Sequence, residues 1–398
     1  LPLLSVAREK GVFVRSLTDA SENHNVIPED LSNYKVARAG SLVINKMKAW
    51  QGSMGIAPCD GIVSPAYYVF DFHIANCAFG QALFRSKPYV AHFGQASDGV
   101  RVGQWDLSID RMRQIPVLMP SEEEQDAIVR FLDYANRKID RLIRVKRKMI
   151  ALLNEQKQAI VHQAVSQGSN SAWRYLPVRA VLRPVKRVGF PDKTLLSLFR
   201  DFGVVPKDSR ENKNVDVRDL ALCQLVRPGD VVMNKMKAWQ GSIAVSSLEG
   251  IVSPDYMVLE FICDGVVHKF FHYLLRSPDM VAEYRRRAYG VRPGQWRLMF
   301  PDFCRLHLSV PPIHEQERIV SHVEAATADI ERLITRTERE IALMQEYRTR
   351  LTADIVTGKL DVREAAAKLP ELEENDEPDD DSLDEELFED AEAEATDE

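Results

Sequence analysis

The nonapeptide NKMKAWQGS occurs twice in this chain, at Asn45–Ser53 and at Asn234–Ser242, and GIVSP follows at the same distance both times. Two copies of one module fold into two equivalent surfaces, so the duplication dictates the architecture. The match continues in order, with an offset that slides from 189 to 191. VRVGQW at Val100–Trp105 answers VRPGQW at Val291–Trp296, and EEQDAIVRFLD answers HEQERIVSHVE. Tyr67 answers Tyr256, and Ala151-Leu152 answers Ala342-Leu343. Each half therefore reads as a globular segment followed by a long helix, and 398 residues exceed what one core normally fills.

The helices carry a regular apolar stripe. Leu132, Ala135, Ile139, Leu142, Lys146, Met149, Leu153, Gln156 and Ile160 step by three and four, a heptad seam with two polar breaks. In the second half the seam reads Val323, Ala326, Ile330, Leu333, Thr337, Glu340, Met344, Tyr347 and Leu351, again interrupted near its middle. Two such stripes can bury each other, and Leu132, Ile139, Leu142, Leu153 and Ile160 are expected to pack against Val323, Ile330, Leu333, Met344 and Leu351. Pro120 followed by Ser121-x-x-Glu124 forms a capping box at the first start, Pro311-Pro312 precedes the second, and Gly168 and Gly358 mark the ends. A helix of about 45 residues reaches roughly 65 Å, the length of a spacer. The alternative is two separate helices, each folded onto its own domain.

The globular parts mix short strands with turns and read as α+β. LVRPGDVVM at Leu225–Met233 is a Pro-Gly turn feeding a strand, SLVIN after Ala39-Gly40 is its counterpart, and Val266 to Arg287 reads as a helix. The expected organisation is a first recognition domain over 1–119, a spacer helix over 120–168, a second domain over 169–311, a second spacer over 312–358 and a tail over 359–398. Trp173 to Asp192 has no counterpart before Leu4, and Leu4-Ser5-Val6 aligns with Leu196-Ser197-Leu198. The first domain is thus expected to lack roughly 25 residues that the repeat calls for.

The net charge of -7 conceals a division, because residues 371–398 hold 17 acids and no Lys or Arg. Removing those 17 from 59 leaves 42 acids against 52 bases, a body near +10 that can attract polyanions. The tail is expected to be disordered and to repel nucleic acid locally. No apolar run approaches the roughly 20 residues of a membrane helix, and LPLLSV lacks the features of a signal peptide, so a cytoplasmic location is expected. The five cysteines form no CxxC pair and no metal-ligand spacing, which argues for reduced thiols and against zinc.

The chain contains no GxxxxGK[ST] loop, no GxGxxG opening a helix, no HExxH, no Asn/Asp-Pro-Pro-aromatic box and no G-x-S-x-G, so catalysis has no visible seat. Binding does. Lys46, Lys48, Trp50 and Gln51, repeated as Lys235, Lys237, Trp239 and Gln240, combine phosphate-compatible cations, a stacking surface and an amide able to read a base edge. The competing reading makes the tryptophans core residues and the lysines solvated. Arg101 and Gln104, with Arg292 and Gln295, sit in glycine-punctuated loops and are either major-groove readers or parts of a structural turn. Arg285, Arg286 and Arg287 end a helix with no cationic run at the matching place in the first half, and serve either phosphate or the helix dipole.

A globular unit ending in a G-x-R-x-GQW-like segment, then PPxxEQ or its relative, then an apolar-striped helix, all duplicated, resembles the specificity (S) subunit of type I restriction-modification systems. The resemblance covers residues 1 to about 360 and rests on PPIHEQERIV at Pro311–Val320, MPSEEEQDAIVRFLD at Met119–Asp133 and the two VRxGQW segments. The first copy departs from the double proline with Met119-Pro120, and the acidic tail lies outside the resemblance. The resemblance implies two target recognition domains, each reading half of a split double-stranded DNA site, held apart by an antiparallel helix pair. It implies methyltransferase (M) subunits using S-adenosylmethionine to methylate adenine, and restriction (R) subunits using ATP and Mg. This subunit itself is then expected to be non-catalytic and to hold no cofactor or metal. The rival expectation is a coiled-coil scaffold that joins two protein ligands without touching DNA; a nuclease ranks third, for want of a metal-ligand cluster.

Overall fold

The computed structural model describes residues 1–8, 10–15, 31–99, 105–166, 172–200, 202–209, 220–290 and 296–370. Internal contacts divide the chain into two units. The first comprises Leu1–Lys148 with the described residues from Thr337 onward, and the second comprises Met149–Arg336. The acidic tail, Gly168, Arg101, Gln104, Arg292 and Gln295 lie outside the described residues.

In the first unit a hairpin of Leu4–Ala7 and Gly11–Val14 packs against an antiparallel sheet ordered Met54–Ile56, Leu42–Asn45, Tyr67–Phe70. Lys35–Ala37 pairs with Gly61–Val63. The central strand runs Leu-Val-Ile, buried throughout because both faces are covered. Helix α1 (Cys77–Arg85) starts at Asn76, whose side chain accepts the Phe79 N–H at 3.1 Å. Then follow α2 (Lys87–Gln95), α3 (Ile109–Met112) and the first half of α4 (Glu122–Ser166). Ser121 caps α4 by accepting the Glu124 N–H at 3.3 Å, as the capping box predicts. Phe79, Leu83 and Phe93 form the core with Ile44, Met54 and, from α4, Ile128 and Leu132.

The second unit repeats this plan with a wider sheet. Its hairpin is Leu196–Phe199 with Gly203–Pro206, and its sheet is ordered Leu182–Val185, Tyr256–Phe261, Val231–Asn234, Ile243–Val245. The stretch after Trp173 supplies two strands, Arg174–Pro177, paired with His307–Val310, and Leu182–Val185. Neither has a counterpart among the described residues of the first unit, whose sheet is one strand narrower. Four further helices follow: α5 (His268–Leu275), α6 (Pro278–Arg287), α7 (Phe300–Phe303) and α8 (Ile313–Val356); α9 (Arg363–Ala367) belongs to the first unit. The single helix expected over Val266 to Arg287 is two helices. Ser277 precedes a proline, which disfavours helical backbone there, and it takes φ -65°, ψ 147° as the N-cap of α6.

Both seams hold at every seventh residue and shift by one between. In α8 the inward residues are Val323, Thr327, Ile330, Ile334, Thr337, Ile341, Met344, Arg348 and Leu351. Leu333, expected inside, is 37% exposed, and Ile334 takes its place. In α4 Leu142 is 50% exposed while Ile143 is 5% exposed. Leu132, Ile139, Val323 and Ile330 are buried as expected, and Leu153, Ile160, Met344 and Leu351 are half-buried. The neighbours Leu142-Ile143 and Leu333-Ile334 are equally apolar, so hydrophobic pattern does not choose between them; the helix they face does.

Within the first unit Asp140 pairs with Arg348, and Lys146 Nζ lies 2.5 Å from Glu340 Oε2. Within the second, Lys157 Nζ lies 2.6 Å from Glu331 Oε1. Numbers rise along α4 as they fall along α8, so the helices pack antiparallel in each unit. The polar breaks of the two seams, Lys146 and Glu340, meet each other, which fixes register at a cost in hydrophobic burial. No described helix is long and apolar enough to cross a membrane.

Candidate nucleic-acid interface

NKMKAWQGS folds identically in both units. A core strand ends at Asn45, or at Asn234, whose side-chain oxygen accepts the Met47 N–H at 3.1 Å, or the Met236 N–H at 3.0 Å, and turns the chain out of the sheet. One turn of 3-10 helix follows, Ala49–Gln51 or Ala238–Gln240, with the alanine fully buried. It is closed by Gly52 at φ 87° or Gly241 at φ 100°, a left-handed conformation that favours glycine.

The tryptophans, all four half-buried, pack on each other in pairs. Trp50 and Trp105 have ring centroids 5.2 Å apart at 55°, and Trp239 and Trp296 repeat this at 5.4 Å and 56°. Each nonapeptide indole N–H is satisfied inside its own turn, Trp50 donating to Met47 O at 3.2 Å and Trp239 to Met236 O at 2.9 Å. The backbone completes the link: Leu107 N donates to Lys46 O and Leu298 N to Lys235 O, both at 2.9 Å. NKMKAWQGS and the stretches that begin at Trp105 and Trp296 are therefore joined in each unit. The turn presents Lys48 exposed and Lys46, Gln51, Lys235, Lys237 and Gln240 half-buried.

The second unit adds cations on α6. Arg285 is exposed, with its guanidinium carbon 5.8 Å from the Trp239 ring centroid. Arg286 and Arg287 both pair with Glu283. No group of three potential metal-ligating side chains occurs among the described residues.

Two further repeated pairs emerge that reading the sequence for chemistry overlooks. Arg85 donates to Arg8 O at 2.8 Å and Arg276 to Arg200 O, each tying α1 or α5 to the hairpin of its unit; burial pushes the Arg85 guanidinium down. Gln125 and Gln316, of the two EQ motifs, are buried at the start of the long helices. Their common signal was the offset of 191, which links each pair as it links Trp105 to Trp296.

His272 stands where the first unit has Gln81. Gln81 accepts the Ile56 N–H at 3.0 Å, and His272 bonds to the Val245 backbone at the equivalent strand. Burial, aided by the Arg276 charge, pushes the imidazole down to about 4. The unfolded chain, with an ordinary value of about 6.5, then binds the proton first. Stability is full above about pH 6.5 and falls as pH drops towards 4, by on the order of 3 kcal/mol from this group. His272→Gln is expected to remove that part of the acid destabilisation, measured as the pH dependence of hydrogen exchange in second-unit amides.

No family model matches the sequence, and no curated protein matches it. The fold is that of a chain solved in work on complex assembly and conformational transition of the type I R-M system. The TM-score is 0.56 at 17% identity over 83% of this chain and 85% of that one. The HsdS subunit from Thermoanaerobacter tengcongensis aligns at TM-score 0.39 and 17% identity, covering 84% of each chain. The type I S subunit from M. genitalium aligns at 0.35 and 10%, covering 80% of this chain and 83% of that one.

Proposed function

We propose that this chain is a DNA-specificity subunit of the type I restriction-modification kind, a scaffold whose two units each grip one half of a bipartite duplex site. The observation that carries the reading is the identically built basic turn in both units. Its lysines, Lys48 exposed and the others half-buried, sit on an aromatic framework suited to placing charge against phosphate at fixed positions. The paired indoles set the turn, and its lysines and glutamines, with whatever indole surface the pairing leaves open, make the contacts. Methyltransferase subunits with S-adenosylmethionine, and restriction subunits with ATP and Mg, supply the chemistry, while the helix pair sets the distance between half-sites.

The test is the chain reconstituted with adenine methyltransferase subunits and given genomic DNA. Methylation at one split sequence supports the reading. Equal binding to all duplexes with no defined methylated sequence overturns it, and no binding to any duplex favours a protein-only scaffold. Within that assembly, Lys235→Ala or Lys46→Ala is expected to weaken binding on every sequence and to reduce the salt slope by about 1. Gln240→Ala or Gln51→Ala is expected to relax one base position at a discrimination of about 1–3 kcal/mol. Uniform loss across sequences for the glutamines would count against base readout.

A further inference from the structure

The two copies of the turn are the same, but the ground around them is opposite in charge. At the constant offset of 191, Gly94, Gln95, Ala96, Asp98 and Asp106 of the first unit stand where the second has Arg285, Arg286, Arg287, Tyr289 and Arg297. With Glu283 included, where the first unit has His92, the second copy holds four arginines and one carboxylate, a formal +3. The first holds two carboxylates, a formal -2.

Geometry places Arg285 over the Trp239 ring, with Arg286 and Arg287 next to it on α6 and Arg297 next to Trp296 in the chain. Tyr289 and Arg297 exchange both backbone hydrogen bonds, at 3.2 and 2.9 Å, and so form a stem that places Arg297 directly after Trp296. Trp296 packs on Trp239, over whose ring lies Arg285. Glu283 holds Arg286 and Arg287, so two long side chains on this exposed helix end are already ordered. The first unit builds the same stem with Asp98 opposite Asp106, a like-charge pair across a ladder that costs stability and of which Arg111, 2.8 Å from Asp98, offsets one member. Complementing the helix dipole accounts for cations in the last turn of α6. It does not account for Arg297, on a different element, nor for an acidic stem at the same place in the first unit.

We infer that the second unit carries an arginine patch, Arg285, Arg286, Arg287 and Arg297 next to the Trp239–Trp296 pair, that takes backbone phosphates of duplex DNA, and that the matching positions of the first unit supply no such cation. Resting on the DNA reading above, this makes the two half-sites unequal. The second unit supplies most of the salt-dependent, sequence-independent grip, and the first depends on its lysine turn and sequence-specific contacts.

The test uses the full chain assembled with methyltransferase subunits and a fluorescent duplex of arbitrary sequence, titrated from about 50 to about 300 mM salt. Giving the second unit the first unit's residues, Arg285→Gly, Arg286→Gln, Arg287→Ala and Arg297→Asp together, is expected to flatten the slope of log affinity against log salt by about 3. Affinity at low salt should fall at least about tenfold. The four Arg→Lys changes together keep the charge and are expected to keep the slope, which a merely structural role for the arginines would not predict. An unchanged slope in the first variant, with the unmutated assembly still binding, overturns the patch and assigns those arginines to a protein partner. No binding by the unmutated assembly at any salt overturns the DNA reading itself.

Discussion

Gln316→Leu is expected to destabilise the second unit by about 3–4 kcal/mol, a large effect for a change that nearly conserves volume. Gln316 is 1% exposed. Its Oε1 accepts the Val267 N–H at 2.9 Å, and its Nε2 donates to Gly265 O at 3.0 Å and Pro311 O at 2.9 Å. One amide thus clamps the first turn of α8 to the segment that leads into α5. Leucine would fill the space and orphan three backbone groups, each costing about 1–3 kcal/mol when buried without a partner. Native-state hydrogen exchange of second-unit amides measures the loss, and a drop below about 1 kcal/mol would mean that water replaces the amide. Gln125 repeats the clamp in the first unit, accepting the Asn76 N–H at 3.0 Å and donating to Pro120 O at 3.0 Å. The glutamine of both EQ motifs is therefore a fastening between a long helix and its globular unit.

The glycine of GIVSP is expected to be almost as intolerant. A Cβ on Gly250 would lie 2.5 Å from Thr194 O and 2.7 Å from Leu196 Cγ, and one on Gly61 would lie 2.8 Å from Pro2 O and 2.5 Å from Leu4 Cγ. The closeness has a purpose, since Ile251 N donates to the same Thr194 O, and Ile62 N to Pro2 O, both at 2.9 Å. Gly250→Ala must push that carbonyl away and lose the bond, for about 2–4 kcal/mol and a clear fall in melting temperature. Gly94→Ala is the control: nothing lies within 4 Å of its Cβ, and in a helix the change is expected to be neutral or to stabilise by up to about 1 kcal/mol.

Gln316 and Gly250, with Gln125 and Gly61, hold parts of the repeat that carry no chemistry of their own. NKMKAWQGS attracted a functional reading because lysine, tryptophan and glutamine are the vocabulary of nucleic-acid contact. In the fold much of it is architecture: Asn45 makes the turn, Ala49 fills the core, Trp50 packs on Trp105 and Gly52 takes the positive φ. A local motif looks the same whether its aromatic ring meets a base or another indole, because the partner lies 55 residues away in the first unit.

The sequence by itself determined the two-fold duplication, the α+β character of each unit, both long helices with the Ser121 cap, and the seam at every seventh residue. These are legible because repetition and period are properties of order along the chain. Tertiary structure decided which of two adjacent apolar residues turns inward, as at Leu142-Ile143 and Leu333-Ile334, and broke Val266 to Arg287 into two helices. It joined Lys146 to Glu340 across 194 positions and set Arg285 over the ring of Trp239, which packs on Trp296. The physical reason is common to all of these: a side chain's role depends on what faces it, and in this chain the facing residue comes from another element, brought there only by folding.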